Sequence, residues 1–374
     1  MTGPDDTAVP DAPAREAQHP RWWIYRSGGA PLRDTVLSDV LPPPPPWRTF
    51  DGGPVLPPPP EDDTETVRRL GAHRPAARED SEAARKEAEM VNSALLLRRP
   101  LLVTGRPGTG KSSLAYRISR ALRLGRVLRW HVTSSTTLSG GLYAYDAIGR
   151  VQDTAARTAA AGDGPPPDGG PAPLEVGDYI QLGPLGTALL PHAEPRVLLI
   201  DELDKSDLDL ANDLLSVFEE GSYAIPELLR SSRRHPSATV LTDDPDRTAV
   251  ITGGTVTCRA FPIVVITSNS EREFPPAFLR RCLLLEMPEP DENDLADMVA
   301  AHLGDDTVTE WGGEIIARFL DRSRERGGLS IDQLLNSLYL ASSGRLDDLD
   351  GSVTEFCERV WHRLNGAGPG ARPR

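Results

Sequence analysis

The chain has 374 residues with a formal net charge of −14, and its 39% hydrophobic content is enough for about two domains with tails. Because it has no Lys/Arg-rich block, we do not expect a general nucleic-acid binder, and any basic channel would have to be local. The N-terminus is acidic and Pro-rich, and no apolar run approaches the ~20 residues of a membrane span, so a cytoplasmic protein is expected. The three cysteines are far apart, which predicts reduced thiols that bind no metal.

Residues 1–78 differ in composition from the rest of the chain and are predicted to be a partly disordered N-terminal extension. Residues 1–20 are small, polar and rich in Pro and Ala, which favours disorder. The aromatic cluster WWIY at residues 22–25 is expected to dock on the globular body or on a partner. The proline runs at 42–46 and 57–60 are interpreted as stiff spacers that strap the N-terminus across the domain, with docking to an aromatic-lined groove as the alternative.

Residues 79–289 alternate short apolar strands with helical patterns. A helix is predicted over residues 79–97, and helices that end at Gly125 and Gly221 follow the first and third strands. Buried strands are predicted at residues 101–104, 127–132, 197–200, 263–267 and 283–285. This alternation is typical of an α/β domain.

The sequence also predicts the structure of three connections in this domain and of the region that follows it. Hairpins are expected around Gly183-Pro184 and around Gly253-Gly254, and residues 159–173 are expected to form a mobile surface loop. Four apolar helical patterns occupy residues 290–365, which predicts a small all-α domain, and residues 366–374 are expected to be a disordered tail.

The strongest signal for chemistry is the loop GRPGTGKS at residues 105–112, which fits G-x-x-x-x-G-K-[ST] between a predicted strand and a predicted helix. Lys111 is expected to bind the β- and γ-phosphates of a nucleotide, and Ser112 is expected to ligate Mg²⁺. The alternative is a glycine-rich turn that only resembles the motif. The predicted nucleotide contacts are Gly105, Pro107, Gly108, Thr109, Gly110, Lys111, Ser112 and Ser113.

Two acidic residues follow the third strand. Asp201 is placed at the carboxyl edge of a parallel sheet, where it can hold Mg²⁺ through water, and Glu202 is placed to orient and deprotonate the attacking water. A second carboxylate of this kind favours a hydrolase over a kinase. The alternative is a pair of acidic residues at a helix N-terminus, stabilised by the helix dipole.

Two further groups are candidates for catalysis. Asn269, at the end of the fourth strand, can hydrogen-bond the γ-phosphate or the water, or it can be an ordinary turn residue. Arg280 and Arg281 are candidates for an arginine that reaches the γ-phosphate bound by a neighbouring subunit, or they are surface arginines at a helix end.

The loop together with VLLIDE, VVITSN and PPAFLRRC, in this order and before a helical region, resembles the AAA+ ATPases. The stretches at residues 200–228 and 179–191 resemble the MoxR branch specifically. The resemblance covers about residues 79–364 and implies strand order 5-1-4-3-2, a ring that is usually hexameric, and ATP bound between subunits. It implies that Asn269 is sensor 1 and that Arg281 is the finger, with Arg280 as its competitor.

The resemblance also identifies the two predicted hairpins with inserts that line the central face of such rings and contact the client. One feature departs from it. Many relatives carry a sensor 2 arginine in the lid, whereas the corresponding stretch here is LSIDQLL at residues 329–335. Asp332 would repel phosphate, so lid sensing of ATP is absent or is carried by other residues.

The sequence therefore predicts a Mg²⁺-dependent ring ATPase, chaperone-like in remodelling or activating a protein client. A partner with a von Willebrand factor A-type domain is implied by resemblance alone. The alternatives are an ATP-gated switch or scaffold with slow hydrolysis, a phosphotransferase, which Asp201, Glu202, Asn269 and the lid argue against, and a nucleic-acid motor, which the net charge disfavours.

Overall fold

A five-stranded parallel sheet forms the centre of the protein. Its strands are β1 (Leu101–Thr104), β2 (Leu128–His131), β3 (Val197–Asp201), β4 (Ile263–Ser268) and β5 (Leu283–Glu286). Their order across the sheet is β5-β1-β4-β3-β2, with all four neighbouring pairs parallel. The predicted α/β fold and the strand order 5-1-4-3-2 are thus confirmed.

The computed structural model describes residues 20–28, 31–32, 35–59, 62–72, 81–161, 175–308, 312–326, 329–343 and 352–361. Three predictions of disorder or mobility concern residues that lie largely outside these described ranges. Residues 1–19 and 366–374 lie outside the described residues, as do residues 162–174, which include most of the predicted mobile loop. Residues 159–161, where that loop was predicted to begin, are the last turn of the helix Ala147–Ala161.

The edge strands differ from the prediction of five buried strands. In β2, Arg129 and His131 are exposed while Leu128 and Trp130 are buried, and in β5 Leu284 is exposed. The reason is that only one face of each edge strand is covered by helices or loops. The inner strands β3 and β4 are buried at every position.

Three helices cover the sheet. They are α1 (Glu82–Leu97), α2 (Ser113–Leu122) and α3 (Leu208–Glu220). Because side chains alternate along a strand, Val197 and Leu199 share one core with α1 and α2, whereas Leu198 and Ile200 share the other core with α3. The remaining helical segments of this part are Leu138–Leu142, Ala147–Ala161, Val176–Tyr179, Pro184–Ala188, Leu203–Lys205, Pro226–Ser231 and Pro276–Leu279.

The predicted hairpin around Gly183-Pro184 is wrong. Its first arm is a strand, Ile180–Leu182, but Pro184 begins the helix Pro184–Ala188, and proline is favoured at the first position of a helix. Packing stabilises this helix, because Leu185, Ala188 and the two leucines that follow Ala188 are all buried in the core. The strand instead belongs to a four-stranded sheet, in the order Tyr143–Tyr145, Ile180–Leu182, Ser237–Leu241 and Thr248–Thr252.

The predicted hairpin around Gly253-Gly254 is wrong in its pairing. The two glycines form a turn with positive φ, and a Cβ on Gly254 would lie 2.5 Å from the backbone nitrogen of Leu229. However, Thr248–Thr252 pairs with Ser237–Leu241, and Thr255–Thr257 pairs with Ser222–Ala224 in a separate two-stranded sheet. Each arm buries its apolar side chains against a different strand, so the turn joins two sheets.

The described residues between 20 and 72, which we call the N-terminal belt, cross both faces of the α/β domain. The belt contains Leu37–Val40, the 3-10 turn Pro46–Arg48 and Thr64–Leu70. The predicted docking of the aromatic cluster occurs on the body of the same chain. Asn92 of α1 accepts hydrogen bonds from the backbone nitrogens of Ile24 (2.7 Å) and Tyr25 (2.9 Å) and donates to the Tyr25 carbonyl (2.8 Å).

Further contacts hold the rest of the belt. Phe50 stacks on Phe261 with ring centroids 5.7 Å apart. The backbone nitrogen of Leu56 donates to the Pro191 carbonyl at 3.1 Å. At the end of the belt, the backbone nitrogen of Ala72 donates to the Ala301 carbonyl at 2.8 Å, which ties the belt to the C-terminal helices.

The C-terminal part is helical where it is described. Its helices are α4 (Glu292–Leu303), the short Asp305–Thr307, α5 (Gly313–Arg326), α6 (Ile331–Ser342) and α7 (Val353–Val360). They share a separate core that includes Leu295, Phe319, Leu338 and Trp361. No helix in the described part of the chain is both long and apolar enough to cross a membrane.

Candidate nucleotide site

The loop at residues 105–112 connects β1 to the N-terminus of α2, as the motif predicts. Gly108 has φ +84°, and a Cβ at this position would lie 2.9 Å from the Leu329 carbonyl oxygen. Only glycine therefore allows the loop to pack against the segment that precedes α6. The N-terminal turn of α2 directs its backbone N–H groups toward the loop, which is an arrangement that binds anions.

Lys111 is buried within this loop. Its ammonium group donates to the Gly105 and Arg106 carbonyls, each at 2.8 Å. Burial lowers the pKa of Lys111, against the opposing effect of the Asp204, Asp201 and Glu202 carboxylates. The loop thus holds a cation on its own carbonyl groups.

Asp201 ends β3 and is 4% exposed. Its Oδ1 accepts hydrogen bonds from Ser112 Oγ (2.6 Å) and Thr267 Oγ1 (2.8 Å), and its Oδ2 accepts from Arg129 Nη2 (2.7 Å). Burial alone would raise the pKa of Asp201, but the hydrogen bonds from Ser112, Arg129 and Thr267 outweigh it and hold the pKa below its usual range. The carboxylate therefore stays ionised at neutral pH.

Glu202 follows at once and has an unusual backbone conformation. Its φ is +63°, in the left-handed region that non-glycine residues rarely adopt, and its backbone nitrogen donates to Thr267 Oγ1 at 2.8 Å. Its carboxylate pairs with Lys205 Nζ at 2.7 Å. The two carboxylates at the end of β3 therefore have different cationic partners, Lys205 for Glu202 and Arg129 for Asp201.

Asp204 positions the residue after β4. Its side chain is buried, and its Oδ2 accepts hydrogen bonds from the backbone nitrogens of Asn269 (2.8 Å) and Glu271 (3.1 Å). Asn269 is half-buried and lines the cleft described next.

A single cleft of about 1610 Å³ unites the predicted residues Lys111, Ser112, Asp201, Glu202 and Asn269. It lies between the α/β domain and the C-terminal helices, and Asp332 lines its far side, where the resemblance placed a sensor 2 arginine. Arg280 and Arg281 do not line it. Arg281 pairs with Glu219 at the end of α3 and donates to the Ala277 carbonyl at 3.1 Å.

Sequence reasoning missed three residues of this site: Arg129, Thr267 and Asp204. Thr267 lies next to the predicted Ser268-Asn269 strand end, and Asp204 lies one helical turn after Asp201, so both had a weak local signal. Arg129 had none, because its contact with Asp201 spans 72 positions of the chain.

Residues 100–282 match the family model described as AAA domain, dynein-related subfamily. These residues form an AAA domain. The matched range spans β1, the loop, β2, β3 and β4, and it includes Lys111, Asp201 and their hydrogen-bond partners. AAA domains carry ATPase chemistry, so the match locates such chemistry in residues 100–282.

Among solved structures, NtrX from Brucella abortus in complex with ADP is similar at 14% sequence identity and a TM-score of 0.41. The match covers 79% of this chain and 58% of that one, so the chain spans less than two thirds of the length of that protein. No curated protein matches the chain. The assignment of the AAA domain rests on residues 100–282.

The donor set of the AAA domain fits Mg²⁺ bound together with a nucleotide. Among the described residues, no group of three or more His, Cys, Asp or Glu side chains could hold a metal without other ligands. Mg²⁺ at phosphate-binding loops takes few protein oxygens and completes its shell with phosphates and waters. Ser112 Oγ and the ionised Asp201, 2.6 Å apart, provide such a pair.

Proposed function

We propose that this protein is a Mg²⁺-dependent AAA ATPase of the MoxR type that assembles into a ring, hexameric as in MoxR relatives, and remodels or activates a protein client. The observation that carries the proposal is the convergence of Lys111, Ser112, Asp201, Glu202 and Asn269 on one cleft. Their separate positions in the sequence meet at the carboxyl edge of the sheet, where parallel α/β folds bind ligands.

ATP binding uses groups that the fold already holds in place. The N–H groups of the loop and of the first turn of α2 receive the phosphates, and Lys111 exchanges the Gly105 and Arg106 carbonyls for phosphate oxygens. Ser112 and Asp201 would hold Mg²⁺, which supplies neutralisation of the charge on the β- and γ-phosphates.

In the proposed hydrolysis reaction, the residues that follow β3 and β4 contact the attacking water or the γ-phosphate. Glu202 orients and deprotonates the attacking water, and Asn269 binds that water or the γ-phosphate. Thr267 supports this arrangement because it joins the Asp201 carboxylate to the Glu202 backbone. Asp204 supports it by fixing the backbone of Asn269.

Arg281 is proposed to act on the nucleotide of the neighbouring subunit, with Arg280 as the competing candidate. Neither arginine lines the cleft of its own chain, which favours action in trans. Arg281 would break its ion pair with Glu219 when it contacts the neighbouring subunit's nucleotide. Asp332 leaves the lid of the same chain without a cation at the sensor 2 position, so the neighbour's arginine carries more of the phosphate recognition.

The client is proposed to be a protein, with a partner bearing a von Willebrand factor A-type domain as the adaptor. Support for this partner is the resemblance of residues 200–228 and 179–191 to the MoxR branch. The stretches around Gly183-Pro184 and Gly253-Gly254 do not form the predicted hairpins, so contact with the client is proposed without pore hairpins at these positions.

One observation favours a second candidate, an ATP-gated switch with slow hydrolysis. Glu202 pairs with Lys205 and Asp201 pairs with Arg129, so both carboxylates of the site are engaged by cations. A protein in which these pairs persist with ATP bound would bind nucleotide and change partners with little turnover.

The deciding experiment compares steady-state ATP hydrolysis of the wild type, Glu202→Gln and Glu220→Gln, with ATP binding measured in parallel. An ATPase motor predicts that Glu202→Gln lowers kcat by about 100-fold or more while ATP affinity is retained. Glu220, exposed at the end of α3, is the matched control and should change nothing. Negligible wild-type turnover together with ATP-dependent partner binding would favour the switch.

A further inference from the structure

We propose that Trp47 and an arginine patch beside it form the surface through which one copy of this chain docks on the nucleotide cleft of the next copy. The proposal rests on the ring assembly proposed above. It deepens that assembly by naming the two contacting surfaces. One is Trp47 of the N-terminal belt with the arginines beside it, and the other is the wall that residues 285–335 contribute to the cleft.

Trp47 is held rigidly in an exposed position. It is 79% exposed in the turn Pro46–Arg48, directly after the proline run at 42–46. The next residue anchors the turn, because Arg48 donates to the Phe218 carbonyl and its guanidinium lies 5.3 Å from the centroid of the Phe261 ring. A large aromatic side chain held out of the surface loses little conformational entropy on binding, which is typical of interface hot spots.

The arginine patch is defined by five residues on the same edge of the molecule: Arg48, Arg98, Arg99, Arg280 and Arg281. Arg99 ties the patch together because its Nε donates to the Arg281 carbonyl at 3.0 Å. Arg98 Nη2 donates to the Pro42 carbonyl at 2.8 Å, next to the proline run. Burial and the charges of Arg99 and Arg281 lower the pKa of Arg48.

This patch is a local exception in a chain of net charge −14. Within the described residues, Glu219 is the one carboxylate that pairs with any of its five arginines. A concentration of like charge of this kind is relieved when an oppositely charged surface covers it. The chain itself provides such a surface elsewhere.

The complementary surface is the wall that residues 285–335 contribute to the nucleotide cleft. Among the described residues lining this wall there are five carboxylates and no Lys or Arg: Glu286, Asp294, Asp297, Asp305 and Asp332. The triphosphate would add further negative charge at the same opening. Because the patch and the wall are different surfaces of the same chain, their pairing is a head-to-tail contact, the kind that generates a ring when the rotation between copies closes.

The test is sedimentation velocity of Glu202→Gln protein with ATP and Mg²⁺, with and without Trp47→Ala. We expect Trp47→Ala to raise the protein concentration needed for half-assembly by about tenfold or more, since buried tryptophans are frequent hot spots. Trp22→Ala is the matched control, because Trp22 is also exposed, at 43%, on the belt. ATP binding by the dissociated variant shows that it is folded.

Charge exchange provides a second arm. Arg280→Glu is expected to weaken assembly, and Asp297→Arg in the same chain is expected to restore part of it, because patch and wall then attract again. In a third arm, p-benzoylphenylalanine at position 47 is expected to cross-link to residues 286–335 of another copy.

The outcomes separate the two proposals. If the parent protein stays monomeric with ATP, both ring assembly and this docking surface are overturned. If the parent assembles and Trp47→Ala assembles equally well, only the docking surface is overturned. Cross-links confined to other regions also overturn it, as does salt-sensitive DNA binding that Trp47→Ala and Arg280→Glu abolish without any effect on assembly.

Discussion

Arg129 within β2 is paired with Asp201 at the end of β3, with Nη2 and Nε of the arginine 2.7 and 3.2 Å from the same carboxylate oxygen. β2 and β3 are adjacent and parallel, so Arg129 reaches Asp201 from the edge of the sheet. The arginine thus engages the carboxylate that is proposed to hold Mg²⁺. We therefore expect binding of the metal to be coupled to release of this ion pair.

This coupling predicts the behaviour of Arg129→Gln. Without the competing cation, the Mg²⁺ concentration needed for half-maximal MgATP binding should fall roughly threefold to tenfold, because a partly exposed charge-assisted pair contributes about 1 kcal/mol. Fluorescent ATP titrated against Mg²⁺ measures the effect. Arg123→Gln, at an exposed position after α2, is the control. An unchanged or increased Mg²⁺ requirement in Arg129→Gln would contradict the coupling.

The proposed finger predicts complementation between inactive variants. Arg281→Ala should abolish turnover and retain ATP binding, because Arg281 lies outside the cleft of its own chain. Lys111→Ala should also be inactive, since it loses the phosphate contact. Mixing the two should restore a measurable fraction of ATP hydrolysis at interfaces that pair an intact loop with an intact finger. Arg280→Ala, tested in the same way, identifies which arginine acts, and absence of rescue by either would argue against a shared site.

The N-terminal belt is predicted to be part of the folded domain. Asn92→Ala removes the hydrogen bonds to Ile24 and Tyr25 and leaves buried backbone groups without partners, which should cost about 2–4 kcal/mol of unfolding free energy. Chemical denaturation measures the loss, and hydrogen exchange at residues 20–28 shows where it acts. Asn293→Ala, at an exposed position of α4, is the control. Equal stability of the two variants would mean that the belt is not held by Asn92.

His192 predicts a specific dependence of stability on pH. Burial, and then the charge of Arg196, lower the pKa of His192 to about 4. Below the ordinary histidine pKa of about 6.5, His192 is protonated in the unfolded chain but remains neutral in the folded chain. The contribution of His192 to the free energy of unfolding is therefore present above pH 6.5 and is lost as the pH falls toward 4. The full loss is about 3 kcal/mol for this shift.

His192→Phe removes the titrating group, so the difference in unfolding free energy between this variant and the wild type should move in favour of the variant as the pH falls from 7 to 4.5. Chemical denaturation at a series of pH values measures that difference. His235→Phe is the control, because the His235 side chain is 54% exposed. A pH-independent difference between His192→Phe and the wild type would show that His192 is not buried in its neutral form.

The sequence by itself determined the chemistry of the phosphate site and the order of the elements that carry it. The loop at residues 105–112 and Asp201-Glu202 after an apolar strand are local patterns, because backbone sterics and the periodicity of apolar residues act within a few positions. The same signals located the turn at Gly253-Gly254.

The tertiary structure alone decided which distant partners these elements meet. The arms of the Gly253-Gly254 turn pair with different strands, and Pro184 starts a helix, because burial of their side chains depends on surfaces formed elsewhere in the chain. The pairing of Arg129 with Asp201 and the path of the N-terminal belt have the same origin. Contacts across long sequence separations are selected by packing of the whole domain, and no local pattern encodes them.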